Sequence, residues 1–157
     1  MKIALLMALA LLAACEPQDR TPGLWLSGDR VDSTVTDWSF TADYTEIFVQ
    51  TNPWYGIPFS VTTVIATVDG HLYVPSIYKE QAEFPGSKYW NTVIQGNSDV
   101  LLKIGDKLYP RQARLVTNDK EFEQAFEALA DKYDFWRSVK DNPEKRPAFV
   151  LICMDDP

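Results

Sequence analysis

The sequence predicts an α+β fold that is mainly β: an antiparallel sheet or barrel carrying one short helix and one longer amphipathic helix. Three observations predict it. Runs rich in Val, Ile, Phe and Thr recur through the middle of the chain, as strands require. Two connections between such runs, Asp69-Gly70 and Gly105-Asp106, are two-residue turns of hairpin type. Only one long stretch, residues 119–136, places apolar side chains at helical spacing.

The chain opens on Lys2, an unbroken apolar run from Ile3 to Leu12, and the small residues Ala13 and Ala14 before Cys15. A charged start, a short apolar stretch and a small-residue cut site describe a secretory signal over residues 1–14. The run is shorter than the roughly 20 residues that cross a bilayer. Leu12-Ala13-Ala14-Cys15 also resembles the bacterial lipobox, which implies lipidation (a palmitate-type acylation) of Cys15 at the mature N-terminus and membrane attachment through the lipid. Glu16 rather than Asp follows it. By resemblance to enterobacterial lipoproteins, this implies the periplasmic face of the outer membrane. Residues 15–23 hold two prolines, a glycine and mixed charges, and read as a tether. A single domain is expected over residues 24–157.

Asp29, Asp32, Asp37 and Asp43 are irregularly spaced and read as a solvated entry segment, not a carboxylate pair or calcium site. Thr45–Thr51 is the first strand. Phe59–Val68 follows, with apolar residues in both period-two sets, which predicts a central strand covered on both sides. Asp69-Gly70 turns it into His71–Val74 through a type I′ turn, which needs positive φ at both central positions. A short helix is expected over Ser87–Gln95. Val100–Ile104 and Lys107–Val116 pair across Gly105-Asp106. In residues 119–136, Phe122, Phe126, Leu129, Tyr133 and Trp136 form one stripe, and Asn118 with Glu121 resembles a capping box. That stripe is expected to pack on the sheet. Phe149–Met154 is the last strand.

Composition excludes several functions. Removing residues 1–14 takes Lys2 with them and leaves 14 basic against 22 acidic residues, so the basic footprint of a nucleic-acid binder is missing. With Cys15 lipidated, Cys153 has no disulfide partner and reads as a small buried hydrophobe. One histidine, His71, makes a histidine metal cluster unobtainable, and there is no Cys-x-x-Cys, so no metal site is expected. No Ser-His-Asp set, Gly-x-Gly-x-x-Gly or phosphate-binding loop is present, and no catalytic residue is assigned.

Gly86-Ser87-Lys88-Tyr89-Trp90-Asn91 opens the short helix. Ser87 can cap it, Lys88 adds positive charge, and Tyr89 and Trp90 offer flat surfaces, so the segment suits a small phosphorylated ligand. It equally suits a capped helix with one aromatic in the core.

Taken together, Pro58–Thr63, Val68–Val74, Lys88-Tyr89-Trp90 and Asp99–Tyr109 resemble the split β-barrel flavoproteins. These are the pyridoxamine 5′-phosphate oxidase-like and deazaflavin-dependent nitroreductase-like proteins. The similarity spans about residues 45–133. It implies a six-stranded antiparallel split barrel, often a homodimer, binding FMN or a deazaflavin. It also implies that Ser60, Thr62 and Lys88 hold the phosphate and that Trp90 faces the ring system or the core. The chain departs from the family at Trp54-Tyr55-Gly56-Ile57, where many members carry a basic clamp before the Ser/Thr strand. Three functions follow from the sequence: a flavin- or deazaflavin-dependent redox protein, a non-enzymatic lipoprotein binding another small ligand, and an envelope protein that binds a partner through aromatics such as Trp25, Trp38, Trp54 and Tyr55 near its surface.

Overall fold

The computed structural model describes residues 23–78 and 90–157. The signal, Cys15, most of the tether, and Ser87-Lys88-Tyr89 lie outside the described residues.

Among the described residues, eight strands form one open sheet: β1 (Asp29–Arg30), β2 (Ile47–Thr51), β3 (Phe59–Thr63), β4 (Ala66–Val68), β5 (His71–Ile77), β6 (Asp99–Ile104), β7 (Lys107–Leu115) and β8 (Phe149–Asp155). Among the described residues, three α-helices accompany them: α1 (Trp90–Gly96), α2 (Asp119–Lys132) and α3 (Asp134–Asp141). The order across the sheet is β3-β2-β6-β7-β8-β5-β4, antiparallel throughout, while β1 lies parallel to the start of β7. The two edges, β3 and β4, are consecutive in the chain and separated only by Val64 and Ile65. The sheet therefore curls until its edges meet at one bend, with no ladder between them. This is a split barrel.

The expected single strand Phe59–Val68 is thus two edge strands, not a central one. Its two apolar sets serve different cores. Phe59 and Val61 pack on the first core, with Trp38, Ile47, Val49, Leu72, Trp90, Ile152 and Met154. Val64, Ala66 and Val68 pack on the second, with α2, α3, Leu151 and Cys153. What divides the segment is pairing: β3 ladders with β2 and β4 with β5, and the chain passes from one to the other at Val64-Ile65. Counting β3 and β4 as one and leaving out two-residue β1 recovers six strands. The strand buried on both faces is β8: Ile152 and Met154 face one core, Leu151 and Cys153 the other, and all four are fully buried.

Both hairpins follow turn chemistry. Asp69 (φ 49°) and Gly70 (φ 82°) form the type I′ pattern between Val68 and His71. At the second turn only Gly105 has positive φ (59°), the type II′ pattern, between Ile104 and Lys107. A Cβ on Gly105 would also lie 2.7 Å from Tyr44 Oη.

The expected helix over 119–136 is two helices. Asn118 caps α2 as expected, its Oδ1 accepting from Glu121 N at 3.0 Å. Tyr133 then leaves the helix (φ −126°, ψ 126°), and α3 restarts at Asp134. The cause is tertiary. Tyr133 Oη accepts from Ile65 N (3.2 Å) and donates to Ile65 O (3.0 Å), satisfying both backbone groups at the barrel bend. Lys132 Nζ adds a bond to Ile65 O at 3.1 Å. Trp136 still falls in register because the second helix resumes at once. Of the short-helix expectation, the described part runs from Trp90 to Gly96. Among the described residues, no helix is long and apolar enough to cross a membrane.

Candidate functional site: the groove at the split

Where β3 and β5 approach without pairing, a groove of about 310 Å³ opens. β4 pairs with β5 only through Tyr73, so from Val74 onward that side of β5 has no ladder partner. Pro75 sits on this open side, where a missing N–H is tolerated. Its carbonyl accepts from Thr63 Oγ1 at 3.1 Å, one polar stitch across the split. Thr62, Thr63 and Val64 form one wall, and Pro75, Ser76 and Ile77 the other. Aromatic side chains supply the rest: Trp90 from α1, Tyr133 from the helix break, Phe135 and Trp136 from α3. Phe135 and Trp136 meet edge to face at 5.2 Å, and Phe135 is 54 % exposed at the mouth.

The polar atoms of this groove are few. Ser76 is 3 % exposed and its Oγ has no hydrogen-bond partner. Leaving a buried hydroxyl unpaired costs about 1–3 kcal/mol, so such an atom marks a place where a ligand group would be welcome. Burial holds the Tyr133 hydroxyl above its usual pKa, opposed by its bond to Ile65, so it stays protonated at neutral pH. The described lining includes hydroxyls and rings but no Lys or Arg.

The sequence-predicted residues divide. Thr62 and Trp90 both line the groove. Trp90 is also a member of the first core, 2 % exposed. Ser60 is in the same strand but outside the lining. It faces Gln50 across the ladder, its backbone is bridged to Gly23, and its Oγ is buried without a partner. Lys88 lies outside the described residues. Sequence reasoning missed Ser76, Thr63 and the α3 aromatics. Ser76 is the sole serine or threonine in the strand His71–Ile77, a signal visible but weak. Trp136 was assigned to packing by its period, and it does pack, against Phe126 and Phe149.

Two other clusters are self-satisfied. A cleft of about 360 Å³ contains Arg111, but that guanidinium stacks on Trp38, donates to Met154 O and pairs with Asp156. On β5 and β8, single ligand atoms of His71, Cys153 and Asp155 lie within 4.8 Å of one another, a grouping the histidine count did not foresee. Arg114 already neutralises this cluster, bonding Asp155 Oδ2 at 3.0 Å and both carboxylate oxygens of Glu121. Burial pushes the Cys153 thiol up to about 12, helped by the Asp155 carboxylate that accepts its hydrogen bond at 3.1 Å. At neutral pH the thiol keeps its proton and donates it in this bond.

The overall chain trace is similar to several solved structures. An F420-H2-dependent reductase aligns with TM-score 0.53 at 16% identity, covering 71% of this chain and 94% of that one. A protein of the pyridoxinephosphate oxidase family from Clostridium acetobutylicum aligns with TM-score 0.50 at 12% identity, over 73% and 76%. HutZ, the heme storage protein of Vibrio cholerae, aligns with TM-score 0.55 at 12% identity, over 75% and 85%. The chain shares the split-barrel fold of these proteins. At such identities the likeness establishes fold alone. No protein-family model matches the sequence, and no curated protein matches it.

Proposed function

We propose that the chain is an exported lipoprotein, anchored by lipid on Cys15 at the periplasmic face of the outer membrane, whose groove binds a flat phosphorylated cofactor of flavin type, FMN or a deazaflavin. The observation that carries this reading is the unpartnered Ser76 hydroxyl in a groove walled by Trp90, Phe135 and Trp136. The residues fit the ring part of such a cofactor: aromatic walls exclude water and stack, while Ser76, Thr62 and Thr63 offer hydroxyls to its polar edge. The phosphate falls to Thr62 and to Lys88, which the sequence places just before α1. When bound, the flavin supplies hydride or electron transfer, and the chain binds and orients it. The fold's occurrence in a reductase and in an oxidase family supports the redox reading. A homodimer is the expected assembly. The second reading, a non-enzymatic envelope lipoprotein binding another small ligand or a protein partner, is favoured by the exposed Trp54, Tyr55 and Ile57.

Titrating the mature chain with FMN and with riboflavin, followed by tryptophan fluorescence, tests the proposal. Saturable quenching by FMN is expected. Lys88→Ala should weaken FMN about tenfold, about 1.4 kcal/mol, and leave riboflavin unchanged. Ser76→Val should weaken both. No saturation by either compound would move the function to the second reading.

A further inference from the structure

Among the described residues, five large apolar side chains are exposed: Trp25, Trp54, Tyr55, Ile57 and Phe135. Phe135 belongs to the groove, and the other four lie elsewhere; Trp38, expected near the surface with Trp25, Trp54 and Tyr55, is instead buried in the first core. Trp54, Tyr55 and Ile57 occupy the connection between β2 and β3, and Trp54 is 91 % exposed. The connection is a built turn. Gly56 N donates to Pro53 O at 3.0 Å, Gly56 takes φ 80°, and prolines 53 and 58 bracket it. The tip is therefore held with two aromatic rings outward, meeting edge to face at 5.7 Å.

Two further facts say what covers it. The first is charge: in a chain of net charge −7, no charged residue occurs between Glu46 and Asp69. The second is where the undescribed N-terminal chain joins the domain. Gly23 is fixed to Ser60 by two backbone hydrogen bonds, at 3.1 and 2.9 Å. Ser60 is two residues beyond Pro58, about 7 Å along a strand. Gly23 lies eight steps along the chain from Cys15, a reach of at most about 28 Å. Lipid on Cys15 would thus hold Gly23, and with it the nearby turn, within that reach of a bilayer.

We propose that the turn 52–58 is a second membrane contact, seating Trp54, Tyr55 and Ile57 in the interfacial layer of the bilayer that holds the chain's own lipid. Amphipathic aromatic rings favour that layer, and an uncharged tip avoids the cost of desolvating charge. The contact would fix the orientation of the barrel on the membrane. It rests on the lipoprotein reading above.

The test uses the mature lipidated chain in vesicles of phosphatidylethanolamine and phosphatidylglycerol, part of the lipid brominated on its acyl chains. Tryptophan emission should be quenched by the brominated lipid, and Trp54→Phe should remove at least half of that quenching. Trp54 is exposed, so the variant should keep its far-ultraviolet dichroism. Quenching unchanged by Trp54→Phe, or none, would overturn the proposal. So would shielding of Trp54 in a vesicle-free dimer, which would assign the turn to a second copy. The mass of the exported chain reports acylation at Cys15 separately. If Cys15 proves unmodified, persistent Trp54 quenching on adding vesicles to the soluble chain would still support the turn.

Discussion

Burial decides the chemistry of Cys153. Its thiol sits fully buried beneath Asp155 and is pushed up to about 12 by desolvation, so almost no thiolate exists at pH 8. Alkylation at Cys153, mapped by peptide mass, should be negligible in the folded chain and complete in denaturant. Rapid labelling of the native chain would contradict this. The neighbouring Glu121 carries the pH dependence. Hydrogen bonds from Arg114 hold its carboxyl below the usual value near 4.5. A depressed carboxylate stabilises the fold above its unfolded pKa and loses that contribution as pH falls through the lower folded value. Stability followed by thermal melting should therefore fall below about pH 4.5. Arg114→Ala should flatten that acid limb and cost about 1 kcal/mol at neutral pH, a modest figure because the arginine is half exposed. At this scale the sequence was least informative. Cys153 was readable as buried, and Asp155 lies two residues on in the same strand, yet the Arg114 network and the orphaned Ser76 hydroxyl depend on elements far apart in sequence.

Turns and caps were legible because their chemistry is local. Asp69-Gly70, Gly105-Asp106 and the Asn118 cap all stand where the residue types placed them. Gly105→Ala should cost about 1–3 kcal/mol, from positive φ and the crowding against Tyr44, readable as a lowered melting temperature. The two elements read differently from the sequence share one cause. Phe59–Val68 was expected as a single strand and 119–136 as a single helix, and both break where they meet, at Ile65 and Tyr133. Periodicity could not reveal this, since each segment resumes its pattern after the break. Tyr133→Phe removes the hydroxyl that serves both backbone groups of Ile65, while Lys132 still reaches the carbonyl. A loss of about 1–2 kcal/mol in urea denaturation is expected, with weaker FMN binding because the bend forms the groove wall. Unchanged stability would mean the bend is held by packing alone.

For the whole molecule, the sequence conveyed the split barrel through its hairpins and its resemblance to flavoproteins, and the observed sheet agrees. It placed two groove residues, Thr62 and Trp90, because they lie on the elements that form the split. It could not supply the opposite wall, which comes from β5 and α3. The fold also sets how function would be organised. The groove lies at the one seam the sheet leaves unpaired, and the β2–β3 turn projects beside the junction with the tether. A barrel seated by both lipid and turn would present its groove in a fixed orientation to the envelope. Amide chemical shifts of the uniformly labelled mature chain, recorded with and without FMN, test the central claim most directly. Saturable shifts confined to Thr62–Val64, Ser76–Ile77, Lys88–Trp90 and Tyr133–Trp136 are predicted. Shifts elsewhere on the molecule, or none at all, would contradict the assignment of the groove.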